Sequence, residues 1–206
     1  MKTIGLVGGI ASGKSLVAKL LVERGAGLLD ADRAGHAVLA ENADVQRALR
    51  KRWGDEVFNA DGTVNRKAIA HHVFAAADAG SADRRFLEDL THPHIRNRLK
   101  SELAHFAAEG RKAVILDAAL LFEAGWQTLC DLVIFVDSPR ETRLKRARTR
   151  GWTDTDFAVR EAAQWPIEDK RRAADIVLTN DGTEADLSQA VAEFWDRHIS
   201  PAQRAD

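Results

Sequence analysis

The sequence has a single cysteine, Cys130, among 206 residues, and it has no long apolar run. One cysteine cannot form a disulfide within the chain, which favours a reducing compartment. Cys130 comes just before an apolar segment, so we interpret its thiol as a small core side chain rather than a nucleophile. No segment approaches the ~18 apolar residues of a membrane span. Together these absences predict a cytoplasmic protein with no membrane partner.

The chain also lacks an excess of charge of either sign. Its 30 Lys and Arg residues balance 31 Asp and Glu residues, which gives a net charge of -1. A balanced chain has no overall attraction for nucleic acid, so we expect no nucleic-acid partner, and any basic site must be local. With 45% hydrophobic residues, the chain can bury one core and carry a small insert.

Short β-like runs alternate with longer helical stretches along the chain. Runs that are apolar throughout and end in a polar or acidic residue are typical of parallel strands covered by helices on both faces. The sequence therefore predicts a three-layer α/β fold with a five-stranded parallel sheet. The predicted strands are TIGLV (3–7), GLLDAD (27–32), AVILD (113–117), LVIFVD (132–137) and DIVLTN (175–180).

The spacing of these runs predicts three regions. The core comprises residues 1–34, 111–137 and 173–206, and a basic helical segment at 138–172 lies between two core strands. The interval 35–110 has no comparable apolar run and reads as a helical insert. Its predicted helices cover residues 43–53, 65–77, 82–90 and 94–109, with an Asp-Gly turn at 59–63.

The stretch GLVGGIASGKS, residues 5–15, has the spacing Gly-x-x-x-x-Gly-Lys-Ser of a phosphate-binding loop. In such a loop the glycines let backbone N–H groups turn toward an anion, and the following helix points its N-terminus at the same place. Lys14 would reach the β- and γ-phosphates of ATP, and Ser15 would ligate Mg²⁺. A predicted strand precedes the motif and an amphipathic helix follows, with Gly25 as its stop. The predicted nucleotide-binding residues are Gly8, Gly9, Ala11, Ser12, Gly13, Lys14, Ser15 and Leu16.

A phosphate-binding loop does not name the reaction. The late TNDG segment (179–182) lacks the lysine and second aspartate of a GTPase base-recognition element. Asp117 ends an apolar run but has no neighbouring acid to activate a hydrolytic water. These features favour a kinase that phosphorylates a small molecule over a switch or a motor protein.

The segment SPRETRLKRARTRGW (138–152) supplies local cations. Ser138 and Glu141 match a capping box, so a helix is predicted to begin here. Arg143, Arg146 and Arg150 then fall on one helix face. A solvated basic face is the alternative, but we favour a lid that neutralises phosphate charge and excludes water.

The chain resembles the dephospho-coenzyme A kinase family over nearly its whole length. The resemblance implies a parallel P-loop core with a helical CoA-binding domain and a lid. The segments that carry it, besides the loop, are DADRAGHAV (30–38), THPHIR (91–96), DAALLFEAG (117–125) and AAQWPIEDKRRAADIVLTNDG (162–182).

The resemblance also implies the reaction, which is ATP-dependent phosphorylation of the ribose 3′-hydroxyl of dephospho-CoA. Asp32 would be the general base, and Lys14 and Arg143 would act on the phosphates. Residues that would shape the acceptor site are His92, Pro93, Leu120, Leu121, Phe122 and Glu123.

The sequence departs from the family pattern at three places. Ala11 replaces a common loop glycine, and because positive φ would strain alanine, we expect a negative φ there. Leu16 replaces a usual threonine, which matters little if Ser15 is the metal ligand. Ala118 and Ala119 stand where an apolar residue and proline are usual, so a less rigid turn is expected.

Other functions remain open from the sequence. A different small-metabolite or nucleoside monophosphate kinase would share the loop and the lid, and a regulatory module would bind ATP without phosphoryl transfer. The histidines at 71, 72, 92 and 94 lack the spacing of a metal site, so we expect surface or substrate contacts. We expect a monomer or a weak homo-oligomer.

Overall fold

The computed structural model describes residues 1–74 and 77–200 of the chain. The chain divides into two compact units. One comprises Met1–Asp30 and Glu102–Asp206, and the other comprises Ala31–Ser101. The first unit contains a β-sheet and the second is mainly helical.

The first unit is built on a five-stranded sheet in the order β2-β3-β1-β4-β5. Every neighbouring pair of strands is parallel. The α/β class and the five-stranded parallel sheet predicted from the sequence are confirmed. The strands are β1 (Lys2–Gly8), β2 (Gly27–Asp30), β3 (Ala113–Asp117), β4 (Leu132–Asp137) and β5 (Ile176–Thr179).

Helices α1 (Lys14–Glu23) and α9 (Glu184–His198) pack on one face of the sheet. The buried residues of both helices recur at helical spacing, so each helix presents an apolar stripe to the strands. Gly25, with φ +99°, follows α1 and ends it, as the sequence predicted. The core on this face includes Ile4, Leu6, Val17, Leu21, Ile115, Ile134, Val136, Leu178, Val191 and Phe194.

Side chains on the opposite face of the sheet approach β1 closely. An ideal Cβ on Gly5 would lie 2.8 Å from Leu121 Cδ2 and 2.9 Å from Cys130 Sγ, so glycine is needed for this contact. Burial raises the pKa of the Cys130 thiol to about 12, as expected for a packed thiol. Three helices lie between β4 and β5 in the chain, namely α6 (Arg140–Thr149), α7 (Asp154–Ala162) and α8 (Ile167–Ala173).

The helical unit holds α2 (Ala31–Glu41), α3 (Ala43–Trp53), a 3₁₀ helix (Gly54–Val57), α4 (Arg66–Phe74) and part of α5 (Ala77–Ala108). The prediction of helices at 43–53 and from 65 onward is confirmed, and residues 75 and 76 lie outside the described residues. The turn at 59–63 is also confirmed, with Gly62 at φ +82° and Asp61 accepting from the Thr63 N–H at 3.0 Å.

Two predicted boundaries are wrong. The predicted helices 82–90 and 94–109 are one helix, α5, which continues through Pro93. Because proline has no N–H, the Asp89 carbonyl one turn earlier lacks its helical donor. Asp89 and Pro93 are both exposed, so water can donate to that carbonyl instead. Strand β2 ends at Asp30, and Asp32 lies in the first turn of α2 rather than at a strand end.

Within the described residues, no helix is both long enough and apolar enough to cross a membrane.

Candidate active site

The phosphate-binding loop connects β1 to α1, as its motif predicted. Gly13 precedes α1 with φ +102°, and no side chain caps the helix. The first N–H groups of a helix lack acceptors within the helix, so they are available to an anion here. The Ser12 N–H donates to the Gly9 carbonyl at 3.0 Å and closes the loop.

Close contacts around the loop leave no room for side chains at its glycines. An ideal Cβ on Gly8 would lie 2.5 Å from Ser12 Oγ, and one on Gly9 would lie 2.7 Å from Arg143 Nη1. Ser12 Oγ is buried and has no hydrogen-bond partner among the described residues. A hydroxyl left unpaired at an anion-binding loop fits a phosphate oxygen as its missing partner.

The expectation of a negative φ at Ala11 is wrong. Ala11 has φ +58° and is the only non-glycine residue with positive φ in the described part of the chain. The left-handed conformation costs an alanine about 1–2 kcal/mol. Residue 11 therefore keeps the left-handed backbone conformation that glycine adopts easily, and this conformation strains Ala11.

Lys14 and Asp117 meet at the carboxyl end of the sheet. Lys14 Nζ lies 4.0 Å from Asp117 Oδ1, and both side chains are partly exposed. The sheet explains this pairing, because β1 and β3 are neighbours and Leu6 is in register with Asp117. We did not assign Asp117 a role from the sequence, although its position at the end of a strand was a signal.

Ser15 follows Lys14 and is exposed. In residues 1–74 and 77–200, no three His, Cys, Asp or Glu side chains are grouped to hold a metal ion. Mg²⁺ in nucleotide sites usually takes one or two protein ligands and completes its shell with water and phosphate oxygens. The Ser15 hydroxyl and the Asp117 carboxylate, which lies 4.0 Å from the Nζ of the adjoining Lys14, are oxygen ligands of the kind that Mg²⁺ takes.

Arg146 and Asn180 hold the loop from outside. Asn180 Nδ2 donates to the Ser12 carbonyl at 2.7 Å, and Arg146 Nη1 donates to the same carbonyl at 3.2 Å. Arg146 Nη2 also donates to Asn180 Oδ1 at 3.3 Å. Beside them lies a cavity of about 210 Å³. It is lined by Gly9, Ala11, Ser12, Gly13, Lys14, Ser15, Leu16, Arg146, Arg150 and Asn180.

The sequence did not single out Asn180 for this site. The residue directly follows β5, and its position as the polar end of the predicted run 175–180 was the available signal. Polar residues at the carboxyl ends of parallel strands converge on the ligand-binding edge of such a sheet.

Arg143 is buried against the loop. Its side chain is 3% exposed, and Nη1 lies 2.7 Å from Glu161 Oε1. Nη1 also donates to the Ile10 carbonyl at 3.3 Å, and Nε donates to the Ser138 carbonyl at 3.1 Å. Glu161 of α7 was not recognised from the sequence.

The predicted capping box at Ser138 is wrong. The structure has Pro139 at the N-cap of α6, with no side-chain hydrogen bond to the helix. Ser138 is buried, and its Oγ accepts a hydrogen bond from Arg146 Nη1 at 3.1 Å. The hydroxyl supports the loop-binding arginine instead of the helix end.

The predicted acceptor residues after β3 have different surroundings. Leu120 is exposed and Leu121 is buried beneath Gly5. Phe122 is buried and stacks on Trp165 with ring centroids 5.5 Å apart. Glu123 forms an ion pair with Lys170, with 3.4 Å between Oε1 and Nζ. Their role in binding an acceptor stays a prediction.

Asp32, His92 and Pro93 belong to the helical unit. Asp32 is exposed in the first turn of α2. His92 is half-buried on α5, and burial lowers the pKa of its imidazole, while Glu88 and Asp89 act in the opposite direction. The roles predicted for these residues stay predictions.

The family model of dephospho-CoA kinase matches residues 2–186. A dephospho-CoA kinase of Parasynechococcus marenigrum is 42% identical over 192 residues, covering 93% of each chain. One of Anaeromyxobacter dehalogenans is 39% identical over 183 residues, covering 88% of this chain and 85% of its own.

Solved structures agree with this result. A Thermus thermophilus protein superposes with a TM-score of 0.79 and 34% identity, covering 96% of this chain and 97% of its own. Dephospho-CoA kinase from Campylobacter jejuni has a TM-score of 0.72, with 24% identity and 96% coverage of both chains, which supports the fold. The chain belongs to the dephospho-CoA kinase family.

Proposed function

We propose that this protein transfers the γ-phosphoryl group of ATP to the ribose 3′-hydroxyl of dephospho-CoA, which yields coenzyme A and ADP in the last step of coenzyme A biosynthesis. The observation that carries the proposal is the family match across residues 2–186, which includes the phosphate-binding loop. The glycine-lined loop, its unpaired Ser12 hydroxyl and Lys14 support ATP as the phosphoryl donor.

The loop binds and orients the nucleotide. N–H groups at the start of α1 donate to phosphate oxygens, and Lys14 exchanges its long contact with Asp117 for the β- and γ-phosphates. Arg146 and Arg150 line the adjoining cavity and face the same nucleotide. Ser15 and Asp117 would hold Mg²⁺, which neutralises charge on the phosphate oxygens.

The acceptor is activated by Asp32. Its carboxylate takes the proton of the 3′-hydroxyl as that oxygen bonds to the γ-phosphorus, while the bond from this phosphorus to the oxygen of ADP breaks. Arg143 and Lys14 stabilise the negative charge on the transferring group. No covalent enzyme intermediate is needed.

The regions divide these tasks. Residues 35–110 form the acceptor-binding insert, with His92 and Pro93 at its acceptor site, and residues 138–172 form the lid. Leu120, Leu121, Phe122 and Glu123 also shape the acceptor site. We place the protein in the cytoplasm, as a monomer or a weak homo-oligomer without nucleic-acid or membrane partners.

The test is ADP release by purified protein with ATP and Mg²⁺, comparing dephospho-CoA with adenosine, AMP and no acceptor. Turnover confined to dephospho-CoA, with a 3′-phosphate in the product by mass and NMR, is the expected result. Turnover with another acceptor would retain a P-loop kinase and remove this substrate. ATP binding without any turnover would instead favour a regulatory module.

A further inference from the structure

A buried lysine on α8 has no role in the mechanism above. Lys170 is 2% exposed. Its ammonium donates to Gln164 Oε1 at 3.0 Å and lies 3.4 Å from Glu123 Oε1. Glu123 Oε1 also accepts from the Trp165 N–H at 2.8 Å, which fixes the carboxylate in place. An ammonium has three donors, and these two oxygens are its acceptors among the described residues.

Stability alone does not explain this arrangement. Burying an ion pair costs desolvation energy, and apolar residues of similar size are often as stable. The pair here is also incomplete, because Glu123 Oε2 is buried without a hydrogen-bond partner in the described part of the chain. Incomplete buried polar networks are uncommon and call for a functional explanation.

Helix α8 packs beside the phosphate-binding loop. Its first residue, Ile167, is so close to the loop that its Cδ1 would be 2.8 Å from an ideal Cβ on Gly9, and Lys170, three residues further on, lies on the same face of the helix. Burial lowers the pKa of the Lys170 ammonium, and the positive charge of Lys14 lowers it further, while Glu123 raises it. The two positive charges therefore disfavour each other, and an anion bound close to both would remove that cost.

We propose that Lys170 is a second phosphate-binding cation, which contacts the γ-phosphate together with Lys14 and is positioned by Glu123 and Gln164. The inference rests on the proposed function for the identity of the nucleotide, although it does not depend on the acceptor. It gives Glu123 a part beyond the one predicted, because the carboxylate also positions Lys170.

The first test compares nucleotide affinities, with Mg²⁺, of Lys170→Met, Lys170→Arg and the wild-type protein. Loss of a charge-assisted contact to the γ-phosphate should weaken ATP about 10- to 100-fold and leave ADP within about threefold. Lys170→Arg should retain most of the ATP affinity. Lys19→Met, on the exposed side of α1, is the matched control and should change neither. Equal losses for ATP and ADP would overturn the inference, because a structural residue affects both nucleotides alike.

The second test uses the pH profile of kcat/KM, which also applies if Lys170→Met does not fold. The charges that act on the pKa of Lys170 are those of Glu123, which raises it, and Lys14, which lowers it. Lys170 is charged below its pKa, and Glu123→Gln removes the charge that raises this pKa. The alkaline limb should therefore move to lower pH in Glu123→Gln and to higher pH in Lys170→Arg. Identical limbs in all variants would contradict the inference.

The two proposals can fail separately. Nucleotide binding is measured without an acceptor, so selective loss of ATP affinity would support Lys170 even if dephospho-CoA proved not to be the substrate. Turnover of dephospho-CoA with unchanged ATP affinity in Lys170→Met would sustain the proposed function and reject the role of Lys170.

Discussion

The guanidinium of Arg143 is paired with the carboxylate of Glu161 at 2.7 Å, which links α6 to α7. The arginine side chain is 3% exposed and the glutamate side chain is 29% exposed. The same guanidinium lies against Gly9 of the loop and donates to the Ile10 carbonyl. Without nucleotide, Arg143 is therefore ion-paired with Glu161, although the proposed mechanism needs this arginine to bind phosphate.

Glu161→Gln should lower the Tm of the protein and increase the rise in Tm that ATP causes. Removing the carboxylate leaves a buried positive charge without its partner, at a cost of about 1–3 kcal/mol, and a phosphate then binds without competition. Thermal unfolding should show a Tm lower by about 2–4 °C per kcal/mol and a larger ATP-induced rise than in the wild type. Asp154→Asn breaks an exposed pair with Arg148 and serves as the control, with little change expected. A smaller ATP-induced rise would contradict competition between Glu161 and phosphate.

Asp32→Asn should abolish most turnover without weakening ATP binding. An amide cannot take the hydroxyl proton, and loss of a general base typically reduces the rate by about 10²–10⁴. The measurement is kcat with dephospho-CoA, together with the Kd for ATP. Asp44→Asn, an exposed residue of the same helical unit, is the matched control. Full activity in Asp32→Asn would remove Asp32 as the base.

Gly13→Ala should abolish tight ATP binding, whereas Gly151→Ala should not. Both glycines have positive φ, so each alanine is strained by about 1–2 kcal/mol. The new Cβ at Gly13 would overlap the Asn180 amide, whereas no atom lies within 4 Å of one at Gly151. Calorimetric titration with ATP should show an affinity at least about tenfold lower for Gly13→Ala and an unchanged affinity for Gly151→Ala. Equal affinities in the two variants would argue against the packing of Asn180 on the loop.

Ala11→Gly should stabilise the protein slightly. Relief of the positive φ gains about 1–2 kcal/mol, and the greater freedom of glycine in the unfolded chain offsets about half of it. Urea unfolding should therefore give a free energy of unfolding higher by roughly 0.5–1 kcal/mol. Ala158→Gly in α7 is the control with the opposite sign, because its exposed helical site should lose about 1 kcal/mol. A destabilised Ala11→Gly would show that the strain is absent.

Local patterns in the sequence were sufficient for the sheet and the loop. The five strands are short apolar runs whose burial follows from their own composition, and Gly13 and Lys14 occur in a motif with one structural meaning. Family resemblance then supplied the reaction, which no spacing of residues could name.

The errors arose where contacts in the folded structure override the local sequence preference. Ser138 could cap its own helix, but the half-buried Arg146, two turns further along α6, donates to its hydroxyl instead. The left-handed Ala11 is held by the loop around it, against its own preference. Glu161 carries no motif, and only the packing of α7 against α6 reveals that it binds Arg143.

The hydrogen bond from Asn180 to the Ser12 carbonyl joins residues 168 positions apart. During synthesis on the ribosome, the loop leaves the exit tunnel long before Asn180 is made. A nascent chain that ends before β5 has the whole glycine motif but lacks the amide that holds Ser12, so the loop acquires its final shape only after β5 has been made. A chain truncated before Asn180 is therefore expected to bind nucleotide more weakly, although its glycine motif is intact.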